Sequence, residues 1–179
     1  MPPFDPPAIS PPETAPDDPR VGHLLGRALR GVEEARAVIL GFPCDEGVRR
    51  NGGRPGAAAA PDALRQALYR FTPDARHAEA FHDLLAHTAD LGNLRVEGTM
   101  EEAQRALGRA LAPFLQRGAV PIVLGGGHET AFGHFLGYAE AGRAVSILNV
   151  DAHADVRPLR DGRGHSGSPF RQALEHPSG

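Results

Sequence analysis

Two short apolar runs without polar alternation, residues 37–42 (Ala37-Val38-Ile39-Leu40-Gly41-Phe42) and 119–124, constrain this chain most, joined by a third strand-like run at 144–150 that carries Ser146 and Asn149. A strand with one face in water alternates apolar and polar side chains, whereas a run that is apolar throughout suits a strand buried on both faces. Each run ends in a glycine-rich or polar cluster, and segments of helical period separate them. Strands alternating with helices are the pattern of βα units around a parallel sheet. The fold read from this is α/β, a three-layer sandwich with a parallel, doubly wound sheet. A further strand is expected over 84–91, ending at Asp90-Leu91-Gly92.

The helices have their own signals. Val21, Leu24, Leu25, Ala28 and Leu29 have helical spacing, which predicts a helix over 21–31 stopped by Gly31. Pro61 opens a second helix that reaches about Tyr69. Thr99 and Glu102 form a capping-box pattern ahead of a helix over about 100–117, in which Pro113 should mark a kink or a break. Another helical stretch follows Gly127 and runs through Ala139. Residues 1–19 hold eight of the 17 prolines and are expected to form a disordered leader, with 20–179 as one folded unit.

Composition excludes several classes. The formal net charge of −3 and the scatter of 19 basic residues, all of them Arg, argue against a nucleic-acid footprint. No run approaches the roughly 20 apolar residues of a membrane span, and the N-terminus lacks the basic-then-apolar order of a signal peptide. The expectation is a cytoplasmic chain without a membrane or nucleic-acid partner. Its single cysteine, Cys44, cannot form an internal disulfide, and without evident His and Asn partners it reads as a small semi-buried residue.

The polar clusters lie where a parallel sheet gathers ligands, beyond the carboxyl ends of its strands. His128 follows the second run after Gly125-Gly126-Gly127, and Asp151, His153 and Asp155 follow the third. In extended chain, positions i, i+2 and i+4 point the same way, so two carboxylates and an imidazole should converge. Close carboxylates repel and lose solvation, and a divalent cation relieves both penalties. Mixed carboxylate and imidazole donors suit Mn, Fe, Co or Zn better than Ca or Mg. The triple glycine matches neither phosphate-loop pattern, and the chain has no Lys, so a nucleotide is not expected. His134 reads as a helix-face or core residue.

These blocks resemble the ureohydrolases, the arginase, agmatinase and formimidoylglutamase family. The resemblance rests on Gly41-Phe42-Pro43-Cys44-Asp45 through Asn51-Gly52-Gly53-Arg54-Pro55-Gly56, then Gly126-Gly127-His128-Glu129, then Asn149-Val150-Asp151-Ala152-His153-Ala154-Asp155. Within the family, Gly-Gly-Gly-His-Glu, Asp155-Val156-Arg157-Pro158 and Ser166-Gly167-Ser168-Pro169-Phe170-Arg171-Gln172 are most similar to the formimidoylglutamase branch. That resemblance implies an arginase-like fold and hydrolysis of N-formimidoyl-L-glutamate to L-glutamate and formamide, a step of histidine degradation. It also implies a binuclear manganese site, in which His128 and Asp155 belong to one Mn2+, His153 to the other, and Asp151 bridges them and accepts a proton.

For a carboxylate-bearing substrate, Arg157 is the first guanidinium candidate and Arg171 the second. Ser166 stands where arginases have a proton-shuttle His, and His165 is displaced from it by one place. Family members also use a later Asp-x-Asp pair and a Glu that these 179 residues do not contain. The expectation is therefore an N-terminal part of the domain, incomplete at the C-terminus and inactive alone, with a homo-oligomer when full length. The rival readings are a guanidino hydrolase of the agmatinase or arginase type, and a catalytically silent fragment.

Overall fold

A computed structural model describes residues 4–179. In chain order the elements are β1 (Phe4–Asp5), α1 (Val21–Leu24), β2 (Ala37–Phe42), α2 (Glu46–Arg50), α3 (Ala60–Leu68), α4 (Ala78–Ala86), β3 (Thr88–Leu94), α5 (Met100–Gln116), β4 (Val120–Gly125), α6 (Thr130–Glu140) and α7 (Pro169–Glu175). The four strands form one sheet in the order β1-β3-β2-β4. β2 is central and parallel to both β3 and β4, whereas β1 joins β3 antiparallel.

All six residues of β2 are buried, as its unalternating composition requires. Leu40 and Phe42 face α5, packing with Met100, Leu107, Leu111 and Leu115. Ala37 and Ile39 face the other way, toward Leu64, Ala67 and Leu68 of α3. Gly41 shares that second face, where a Cβ would stand 2.7 Å from Pro61. Helices thus cover the sheet on both sides and make the three layers.

Four expectations need correction. Residues 144–150 form no strand, and Leu148 and Val150 are 89% and 91% exposed. β-branched residues favour a strand, but a strand also needs a ladder partner, and β4 pairs only with β2 among the described residues. The strand expected over 84–91 begins later, at Thr88, because Phe81, Leu84 and Leu85 continue the helical spacing of α4. The helix expected over 21–31 ends at Leu24, since the N–H groups of Gly26 and Ala28 donate instead to the carbonyls of Leu85 and Ala86. Helix α5 runs through Pro113 without a break, the ring lying on its exposed face three residues before the end.

The leader is not wholly detached from the sheet. Phe4 and Asp5 pair with Leu94 and Asn93, and Arg95 donates to the Asp5 carboxylate at 2.7 Å.

Candidate metal centre

The site is assembled on the loop between β4 and α6. Gly126 donates its N–H to Phe42 and Gly127 donates to Cys44, which draws the loop against the end of β2. The approach is so close that a Cβ on Gly126 would lie 2.0 Å from the Cys44 carbonyl oxygen. A Cβ on Gly127 would meet Glu129 Oε2 at 2.1 Å. These two glycines are therefore dictated by packing, and they let Glu129 fold beneath the loop, fully buried.

Glu129 is a residue the sequence reading left without a role. Its Oε1 accepts the Gly47 N–H at 2.8 Å, and its carbonyl accepts Gln104 Nε2 at 2.8 Å. Burial pushes its carboxyl above the usual range. Oε2 has no hydrogen-bond partner among the described residues. With Thr130 Oγ1 donating to the Gly127 carbonyl at 2.7 Å, the residues on both sides of His128 are fixed.

His128 presents Nδ1 to two carboxylates, Asp155 Oδ2 at 2.5 Å and Asp151 Oδ2 at 3.8 Å. One donor atom from each of these three residues lies within 4.8 Å of the others, a spacing that fits a single divalent cation. Asp151 turns its second oxygen, Oδ1, toward His153, accepting that residue's backbone N–H at 2.9 Å and lying 3.4 Å from its Nδ1. That backbone N–H is the main cause holding the Asp151 carboxyl below its usual range, with both imidazoles adding to it. Three of the four expected residues, His128, Asp151 and Asp155, are brought together, whereas His153 touches only Asp151 among them and its side chain is 65% exposed.

The route to this convergence differs from strand alternation. Residues 151–153 form a bend, and Asp155 takes a left-handed backbone with φ of +47°. Aspartate is among the few side chains that tolerate this region. A cleft of about 620 Å³ opens beside the cluster, lined among others by Phe135, Asn149, Asp151, His153, Phe170 and Leu174.

The candidate substrate residues are placed less directly. Arg157 is exposed, donates its backbone N–H to Gly167 at 2.9 Å and lays its stem over that glycine. Arg171 is paired with Glu175 at 2.7 Å on the same helix. The Ser166 hydroxyl accepts from Asn51 Nδ2 at 3.2 Å. None of the three lines the cleft beside the cluster.

His165 is a pillar of its loop, 1% exposed, with Nδ1 accepting the Gly167 N–H at 3.1 Å and Nε2 placed 3.0 Å from the Pro158 carbonyl. Both nitrogens are thereby occupied, with the proton on Nε2. Cys44 is buried, and burial is the main cause pushing its thiol above the ordinary range, so it stays protonated and inert.

The loop 43–60 has an organiser of its own in Asp45. Its buried carboxylate accepts the Gly56 N–H at 2.6 Å and pairs with Arg49 at 2.8 Å. The Gly56 bond is the chief reason its carboxyl is held low.

A mixed sheet with a parallel centre, carrying a carboxylate and imidazole cluster near the carboxyl ends of its parallel strands, defines a class of α/β metal-site domain, and a family profile narrows it. The arginase family profile matches residues 35–178, and the chain belongs to that family. It is 43% identical over 154 residues to a formimidoylglutamase of Geobacillus thermodenitrificans, covering 84% of this chain and 45% of the relative. It is 47% identical over 150 residues to a formimidoylglutamase of Nocardia farcinica, with 80% and 45% covered. The crystal structure of Trypanosoma cruzi formiminoglutamase with Mn2+ superposes with a TM-score of 0.76 at 39% identity, over 91% of this chain and 55% of that one. The chain thus spans about half the length of the relatives it matches.

Proposed function

We propose that these residues form the metal-binding part of a binuclear manganese hydrolase that converts N-formimidoyl-L-glutamate and water into L-glutamate and formamide. One observation carries the reading: Asp151 turns one oxygen to His128 and the other to His153. A carboxylate placed between two imidazoles suits a bridge between two cations, with His128 and Asp155 on one and His153 on the other. Mn2+ is the metal of the Trypanosoma cruzi formiminoglutamase structure, and the mixed donor set suits it. When bound, such a pair of cations supplies Lewis acidity that makes water nucleophilic near neutral pH.

The protein's own groups do the rest. Asp151, the carboxylate beside both imidazoles, accepts a proton from the attacking water. The water oxygen adds to the amidine carbon as the C=N pair moves onto the terminal nitrogen, which takes the remaining hydroxyl proton. The bond from that carbon to the glutamate nitrogen then breaks as the nitrogen takes the first proton back from Asp151 and the formamide C=O forms. Arg157 offers a guanidinium fork to a substrate carboxylate. Arg171 would have to exchange Glu175 for the substrate, and Ser166 offers a hydroxyl already oriented by Asn51. The same reading takes the substrate as a small molecule, the assembly as a homo-oligomer and the compartment as the cytoplasm, where an unpaired buried Cys44 is at home. No helix among the described residues is long and apolar enough to cross a membrane.

The test compares formamide release from N-formimidoyl-L-glutamate with urea release from arginine and agmatine. It uses Mn-loaded protein, both as the 179-residue chain and fused to the C-terminal half of the Nocardia relative. The chain alone should show negligible turnover, and the fusion should prefer the formimidoyl substrate. A fusion that prefers a guanidino substrate overturns the substrate assignment.

A further inference from the structure

The block that opens α7 touches the cluster twice through one residue. The Phe170 ring lies 5.4 Å from the His128 imidazole at an interplanar angle of 83°, an edge-to-face contact. The Phe170 backbone N–H donates at 3.2 Å to the carbonyl of Asp155, the residue with the left-handed φ of +47°. Aspartate tolerates that region, and the Phe170 bond is one that holds Asp155 in it. The donor that fixes Asp155 and the ring that abuts His128 therefore move together.

Their carrier is held at both ends. Ser168, fully buried, exchanges hydrogen bonds with His165 at the start of α7. At its far end the His176 ring meets Phe135 of α6 edge-on at 5.4 Å. The buried anchors of α7 are Pro169 and Ala173. Phe170 is half-buried and lines the cleft with Asp151 and His153, so filling the core is not its main employment.

We propose that Phe170 is a positioning residue for the metal centre: its ring sets the plane of the His128 imidazole while its N–H holds Asp155 in place. This rests on the metal-centre reading above. A residue that orients ligands typically changes metal affinity by about 10–100-fold when removed.

The test uses the 179-residue chain with Phe170→Ala, Phe170→Leu and Phe170→Tyr, titrated with Mn(II) alone by calorimetry and electron paramagnetic resonance. In parallel, the His128 ring resonances of the metal-free proteins are compared by NMR, with His128→Gln for assignment. Phe170→Ala and Phe170→Leu should lose about 10-fold in Mn(II) affinity and shift the His128 resonances. Phe170→Tyr, which keeps the ring, should stay close to wild type in both. The Leu variant preserves apolar bulk, and its thermal midpoint reports the fold separately. Unchanged Mn(II) affinity in the Leu variant overturns the proposal whatever the His128 resonances do, because losing the Phe170 ring current shifts them by itself. A wild-type chain that binds no Mn(II) defeats the metal-centre reading and this proposal with it.

Discussion

Arg65 lies fully buried on α3, where a guanidinium survives only if its donors are answered. Asp90 on β3 takes two of them, with Nε and Nη2 each 2.9 Å from a carboxylate oxygen. Gly92 offers its carbonyl to Nη2 at 2.8 Å and Asn93 its Oδ1 to Nη1 at 2.6 Å. Tyr69 adds its hydroxyl to Asp90 at 2.8 Å, and burial, reinforced by that carboxylate, pushes the phenol far above its usual range. The group ties α3 to the strand beside β2, behind the site rather than in it. Removing one partner of such a buried pair leaves an uncompensated charge, at a cost of about 3–5 kcal/mol. Arg65→Met and Asp90→Asn should each lower stability by that amount in urea unfolding, and the double variant by clearly less than the sum. Additive losses, or single losses below about 1 kcal/mol, would show that the pair is not coupled as the geometry requires.

At the scale of elements, the turn from β4 into α6 decides whether His128 faces the carboxylates. Gly126→Ala must push a Cβ against the Cys44 carbonyl, a backbone atom that cannot swing aside. Gly142→Ala, at φ +67° with nothing within 4 Å, tests backbone strain alone and should cost only about 1–2 kcal/mol. The first variant should lose about 10-fold in Mn(II) affinity as well as stability, the second only stability. Equal Mn(II) affinity in both would mean that the loop adapts without moving His128.

These same elements show what the sequence made legible. The strands at 37–42 and 119–124 and the capping box of α5 could be read directly, because each depends on local pattern and a short-range partner, although only β2 is buried on both faces and β4 leaves Val120 and Ile122 exposed. Residues 128, 151, 153 and 155 stand out by spacing and by resemblance, yet 151–155 is not the extended chain that would align alternate side chains. The meeting of three of them depends on the bend at 151–153 and the left-handed Asp155, which no periodicity encodes. Glu129, Asn51 and Phe170 were visible only as letters inside motifs, since their roles arise from contacts across 42 to 115 residues of chain. Residues 144–150 show the opposite failure, a strand-like composition without a neighbour to pair with.

For the whole molecule, the consequence is apolar surface left uncovered along one edge and one face of the sheet. The outer edge of β4 has no ladder partner among the described residues, and Val120 and Ile122 on it are 60% and 45% exposed. On the α3 side, a cleft of about 760 Å³ runs between Ile39, Leu64, Leu68, Phe71, Ile122 and Leu124. Leu148 and Val150 add a second exposed stretch beside the candidate metal cluster. An unpaired parallel edge next to an apolar face is a template for association, which charged side chains on the edge suppress. The 179-residue chain should therefore self-associate with rising concentration in sedimentation velocity. Val120→Lys combined with Val150→Lys should return it toward a single slow species. Neither residue contributes a donor atom to the cluster, so Mn(II) affinity should be retained in the monomeric variant. Association that survives both lysines would place the contact on the cleft between α3 and the sheet instead of on the strand edge.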